Sequence, residues 1–318
     1  MEIRIVYKDR LNPDDVVVDE DTDWSNDGMD NGYEIGYGVA NSGWQHPFIY
    51  NARYAILVAG SSDVACANDL VEMNNKLTNY NYLDENIYCY IQNKDVGYKG
   101  CNDGWATTDN ITGAFQEIGM KITKNDFFYF AEVSHGAAEC DHNDGYFLVW
   151  EDTWYFGTTG GSGYQQRLSI IFETNIRAYA KSLFVMSSCG CGYAINQLHG
   201  ENRIIITAAS TSDWKAGGDV WHQADDENHW AFIHKGCHYH WCGNKYFPGF
   251  VPSMGSVSAP ENVYHAFSKG YTAATNNYGK KPYSFEEVPY ISHPQLDADG
   301  NGSPGEDADK YVAEHTYL

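Results

Sequence analysis

Ser134-His135-Gly136 and Ser188-Cys189-Gly190-Cys191-Gly192 are the segments of this chain whose residue types could carry out covalent chemistry. An imidazole can draw the proton from a thiol, and the thiolate is the form that attacks a carbonyl carbon. Each segment directly follows an apolar run, Asp126–Val133 in one case and Leu183–Ser187 in the other. Continuous runs of this kind read as strands buried on both faces. A histidine and a cysteine at the carboxyl ends of two such strands are placed to meet in one crevice, where open α/β sheets carry their sites. The pattern implies thiol-based cleavage of peptide bonds. Of the two cysteines, Cys189 stands at the strand's end and is better exposed than Cys191, which falls in the first turn of the helix expected next.

Alternating strands and amphipathic helices must position these turns. Tyr54–Ala59 reads as a strand, and Ala67–Leu77 as a helix with Leu70, Met73 and Leu77 on one face. Asn86–Ile91 is a second strand, and Thr108–Ile118 a helix opened by a Thr/Asp cap. Asp126–Val133, a helix over Leu168–Ala180, then strands at Leu183–Ser187 and Arg203–Ala208 complete the series. This order implies an α/β fold, a mostly parallel sheet with helices on both faces. Residues 1–52 are rich in Asp, Asn and Gly, with one strand-like run at Ile3–Tyr7, and read as an acidic N-terminal extension. Residues 53–318 form the main domain. Within it Gly157–Gly163 reads as a surface loop and residues 215–258 as long loops around a cleft. Glu261–Ala274 is an expected helix, and Asp297–Tyr311 is acidic and turn-rich before a short closing helix.

The chain has 318 residues and sets 20 Lys and Arg against 43 Asp and Glu, a formal charge of −23. That balance argues against nucleic acid or anionic lipid as a partner, since both require a basic face. It equally suits a surface that is merely well solvated. No apolar run approaches the roughly 18 residues needed to span a bilayer, and Met1–Tyr7 is too short and charged for a signal peptide. With 25 Tyr, 9 Trp and 31 Gly, the composition leans toward an extracellular or cell-surface protein. Sequons at Asn110 and Asn301 point the same way, although Pro304 makes the second a poor acceptor. Among eight cysteines, Cys89 with Cys101 and Cys237 with Cys242 are close enough in sequence to be bridge candidates. A nucleophilic Cys189 would leave an odd number for pairing.

Taken in order, several segments resemble the caspase-like cysteine peptidases, closest to the legumain branch and its prokaryotic relatives. They are Tyr54-Ala-Ile-Leu-Val-Ala-Gly60, Asn68-Asp69, Asn86-Ile-Tyr88, Asp126-Phe-Phe-Tyr-Phe130 with Ser134-His-Gly136, Ser188-Cys-Gly-Cys-Gly192 and Arg203-Ile-Ile-Ile-Thr-Ala-Ala209. The likeness runs over residues 53–318 and takes in Glu287-Val-Pro-Tyr290 and Pro294-Gln-Leu-Asp-Ala-Asp-Gly-Asn-Gly302. The interval from His135 to Cys189 suits the caspase arrangement of about 50 residues. By this resemblance His135 is the general base, Cys189 the nucleophile, and the amides of Gly136 and Cys189 the oxyanion hole. No cofactor is required for that chemistry, and the expected partners are protein or peptide substrates, with self-association admitted. The chain departs from the legumain pattern at Ser187-Ser188 and at Gly190, where acidic residues flank the nucleophile, so an asparagine preference is not carried over. In the resembled fold the turns after the first and fifth strands line the specificity pocket. Here those turns hold Asp63, Asp213 and Trp214, and acidic residues there would favour Arg or Lys at the cleavage position.

Two clusters have metal-ligand character. Asp297, Asp299 and Asn301 match the first half of a calcium loop, with Gly302 at the sixth position. The twelfth is Ala308, so an EF-hand fails, and Glu306, Asp307 or Asp309 would have to complete a nonstandard structural Ca²⁺ site. Cys237-His-Tyr-His-Trp-Cys242 has zinc-type ligands at too tight a spacing, and reads better as a disulfide or packed aromatic loop. The competing reading is a catalytically silent caspase-like domain acting as an extracellular structural or adhesive protein. A serine hydrolase is disfavoured because no Gly-x-Ser-x-Gly elbow is present.

Overall fold

Three apolar runs that read as central strands, residues 54–59, 126–133 and 183–187, do lie side by side in the computed structural model of the chain. The structure describes residues 39–40, 44–45, 50–60, 64–80, 82–92, 101, 103–134, 136–139, 144–149, 154–157, 168–188, 191–210, 249–256, 259–275 and 293–317. The chain divides into two units, Met1–Ile49 and Tyr50–Leu318. In the first, the described residues form one short antiparallel pairing, Val39–Ala40 with Trp44–Gln45.

The second unit runs β1 (Arg53–Ala59), α1 (Val64–Asn79), β2 (Ile87–Ile91), β3 (Gly104–Trp105), α2 (Thr108–Gly119) and β4 (Phe127–Val133). A three-stranded antiparallel sheet follows, β5 (Gly136–Glu139), β6 (Asp144–Val149) and β7 (Trp154–Gly157). Then come α3 (Leu168–Asn175), β8 (Lys181–Ser187), α4 (Tyr193–Leu198), β9 (Arg203–Thr207), α5 (Val263–Thr275), β10 (Gln295–Asp297) and α6 (Asp307–Glu314). The main sheet has seven strands in the order β10-β9-β8-β4-β1-β2-β3, parallel except that β10 runs antiparallel to β9. The expected α/β architecture is therefore observed.

Strand alternation sends successive side chains to opposite faces, and both faces are covered. On one, the Tyr129 hydroxyl reaches the Met73 sulfur of α1 at 3.4 Å. On the other, Phe128, Phe130 and Phe184 pack with Phe115 of α2 and Phe172 of α3, ring centroids 4.9–6.0 Å apart. All five rings are fully buried, and removing any one would cost about 3–5 kcal/mol. The Thr107 hydroxyl caps α2 by accepting from the Asn110 amide at 3.2 Å, which fulfils the cap expected at its start.

One expectation needs correction, and two features were not foreseen. Leu168–Ala180 is helical only to Asn175, because the Ile176 amide closes the last turn on Phe172 and the chain must then reach the start of β8. The antiparallel sheet β5–β7 and the edge strand β10 were not anticipated at all. Among the described residues no helix is long and apolar enough to cross a membrane.

Asp126 ties the starting ends of the three central strands together. Its carboxylate accepts from the Ala52 amide at 2.8 Å, just before β1, and from the Thr123 amide and hydroxyl at 2.6 and 2.8 Å. Its carbonyl accepts from the Ala180 amide at 2.8 Å, just before β8. Replacing Asp126 by Ala removes three part-buried hydrogen bonds to a carboxylate and is expected to lower unfolding free energy by about 2–3 kcal/mol, measured by urea denaturation. An unchanged midpoint would contradict this role.

Candidate active site

The carboxyl ends of β4 and β8 are held level. Their parallel pairing ends at Val133 opposite Ser187, and one further bond, from the Ser134 amide to the Ser187 carbonyl at 3.3 Å, continues it past the strand. On the other side of β4 the Gly60 amide donates to the Val133 carbonyl at 3.3 Å. The chain passes from β1 outward to β2 and β3 and then returns to β4 on β1's other side. That reversal opens the crevice in which α/β sheets bind ligands. Ser134 and Ser188, both buried, are the last described residues before His135 and Cys189. His135 and Cys189 themselves lie outside the described residues, as do Asp63, Asp213, Trp214, residues 158–163 of the glycine-rich loop and the Cys237–Cys242 segment. Gly136 is described as the first residue of β5.

Cys191 is a packed thiol. It is 4% exposed, its sulfur lies 3.7 Å from the Ala209 carbonyl, and its own carbonyl accepts from the Ala194 amide of α4 at 2.8 Å. Its amide donates back to the Ser188 carbonyl at 3.2 Å, across the two intervening residues. A buried thiol in such surroundings behaves as a small core residue.

The residue that sequence reasoning missed is Glu132. It stands in the central strand opposite Met186 and Val58, with no exposed surface. Its Oε1 accepts from the Ser188 hydroxyl at 2.7 Å, and its buried Oε2 has no hydrogen-bond partner among the described residues. Burial pushes this carboxyl up to about 8, against the smaller opposing effect of hydrogen bonds from Ser188 and the Ser187 backbone. The available signal was a lone acidic residue in the run Phe127-Phe-Tyr-Phe-Ala-Glu-Val133, in a strand with two covered faces.

At the sheet's edge, Asp297, Asp299 and Asp309 each bring one carboxylate oxygen within 4.8 Å of the others. Hard oxygen ligands of this kind suit calcium. They are also engaged by the backbone. Asp309 accepts from the amides of Ala298, Asp299, Gly305 and Glu306 at 2.7–3.2 Å, and Asp297 from those of Gly300 and Gly302 at 3.0 Å. Asn301 directs its side-chain amide to Asp299 and Glu306, both at 2.9 Å. Burial, and then the charge of Asp309, pushes Asp297 up to about 6.

Of the two bridge candidates, Cys89–Cys101 is a disulfide that joins β2 to a residue three positions before β3. No protein-family model matches this chain, and neither does any curated protein sequence.

These buried groups fix how stability depends on pH. The folded state keeps the Glu132 proton up to about 8, whereas an unfolded glutamate releases it near 4.5. The unfolded chain therefore binds fewer protons in that window, and stability falls as pH rises through it. Asp297 adds the same sign between its ordinary 3.8 and about 6. Lys181, 3% exposed and lowered by burial from 10.5 to about 8, acts oppositely, so its contribution is regained above pH 8. Between pH 6 and 8 the Glu132 contribution changes by about 2 kcal/mol. Urea midpoints across that range should decline for the wild type and stay nearly level for Glu132→Gln; parallel declines would show that another group is responsible.

Proposed function

We propose that this chain is a cysteine endopeptidase of caspase-like kind, related to the legumain branch, working through a Cys189–His135 dyad. The observation that supports it most is the level ending of β4 and β8, tied by the bond from Ser134 to Ser187. Ser134 and Ser188, which precede His135 and Cys189 in sequence, thus stand at the same rim of adjacent parallel strands, the arrangement a thiol and its base require. The packing of Cys191 against Ala209 supports Cys189 as the nucleophile.

In this reading His135 takes the Cys189 proton and the thiolate adds to the scissile carbonyl. The amides of Gly136 and Cys189 receive the developing oxyanion. His135 then gives its proton to the departing amine, and water, activated by the same imidazole, hydrolyses the thioester. Asp63, Asp213 and Trp214 would form the specificity pocket, with Arg or Lys as the favoured residue on the acyl side. The Cys89–Cys101 disulfide supports an oxidising, extracellular or cell-surface setting.

The test is cleavage of peptides carrying Arg, Lys, Asn or Asp at the cleavage position by wild type, Cys189→Ala and Cys191→Ala. Wild type is expected to cut after Arg or Lys. Cys189→Ala should lose at least about a thousandfold in kcat/KM, and Cys191→Ala should remain active while losing about 1 kcal/mol of stability. Equal cleavage by wild type and Cys189→Ala would overturn the Cys189–His135 dyad, and no cleavage by either would favour a catalytically silent domain.

A further inference from the structure

We propose that Glu132 is a positioning residue for this peptidase, holding through Ser188 the stretch of backbone that carries Cys189. The inference rests on the peptidase reading and names a support for its nucleophile. Ser188, the residue directly before Cys189, is held at two points. Its hydroxyl donates to Glu132 on the neighbouring strand at 2.7 Å, and its carbonyl accepts from the Cys191 amide at the mouth of α4 at 3.2 Å. Glu132 itself lies three residues before His135 on β4. One side chain therefore ties together the two strand ends that precede both proposed catalytic residues in sequence.

Packing alone does not account for a carboxyl group at this position. Its register partners are Met186 and Val58, and the next residue on the same face of β4 is Phe130, whose ring packs on Phe115 and Phe184. A leucine there would suit those neighbours without the desolvation that a buried carboxyl suffers. What leucine cannot do is accept the Ser188 hydrogen bond. The second carboxyl oxygen, buried and unmatched among the described residues, is a further cost that packing does not explain.

The test uses the full chain, with Glu132→Gln, Glu132→Leu, Ser188→Ala and Glu132→Leu/Ser188→Ala assayed on a peptide that the wild type cleaves. Glu132→Gln keeps an oxygen for the Ser188 hydroxyl and should retain most of kcat. Glu132→Leu and Ser188→Ala should each lose about tenfold in kcat, the worth of one lost hydrogen bond, with KM little changed. Because both remove the same interaction, the double variant should lose no more than the worse single. Thermal melts accompany every assay. Should Glu132→Leu fail to fold, Ser188→Ala against Glu132→Gln still decides. Glutamine as damaging as leucine, losses that multiply in the double variant, or full activity in both Glu132→Leu and Ser188→Ala would each overturn the positioning role. In all three cases cleavage still depends on Cys189, so the peptidase reading survives. Absence of Cys189-dependent cleavage in the wild type would instead remove that reading, and this inference with it.

Discussion

The parallel register between β4 and β8 is the constraint on which the rest of the molecule depends. It pairs Phe127 with Lys181 at one end and Val133 with Ser187 at the other. A slip by one residue would turn every side chain of a strand to the opposite face. Phe184 would leave Phe128, Phe130 and Phe172 for the α1 side, and Ser188 would no longer stand beside Glu132. The same register that builds the aromatic core sets the rim of the crevice. Core packing and site geometry are therefore one problem here.

The two ends of these strands are treated differently by the chain. At the starting end the Asp126 carboxylate accepts from two amides and a hydroxyl. At the finishing end Glu132 has a single hydroxyl and a single backbone donor in apolar surroundings, and burial pushes its carboxyl up. Two carboxyl groups six positions apart on one segment thus meet different surroundings. The difference lies in the number of donors each can reach.

How far the sequence could be read follows from the same physics. β1, β4, β8 and β9 were legible because strands covered on both faces need unbroken apolar runs. α3 was read too long because the apolar pattern continues through Ile176, while its end is set by the need to bring Ala180 onto Asp126. β10 was not legible: Gln-Leu-Asp is too short to show alternation, and only its tertiary position beside β9 makes it a strand. At the site, the paired motifs of Ser134–Gly136 and Ser188–Gly192 drew attention through their composition. Glu132 did not, since nothing in the sequence says which serine would face it. For the acidic tail the sequence indicated a loop dense in carboxylates. Which of Glu306, Asp307 and Asp309 joins Asp297 and Asp299 depends on how the chain turns back into α6, and it is Asp309.

The narrowness of the outermost strands has a consequence for the molecule in company. Among the described residues the seven-stranded sheet finishes with three-residue β10 on one side and two-residue β3 on the other. Exposed strand margins offer unpaired backbone groups on which a second chain can add a strand of its own, and long flat margins invite it most. Margins this short present few such groups, and β10 is further bound into a carboxylate-rich turn that repels another acidic chain. With a formal charge of −23 on the whole protein, growth of this sheet from molecule to molecule is opposed by both shape and charge.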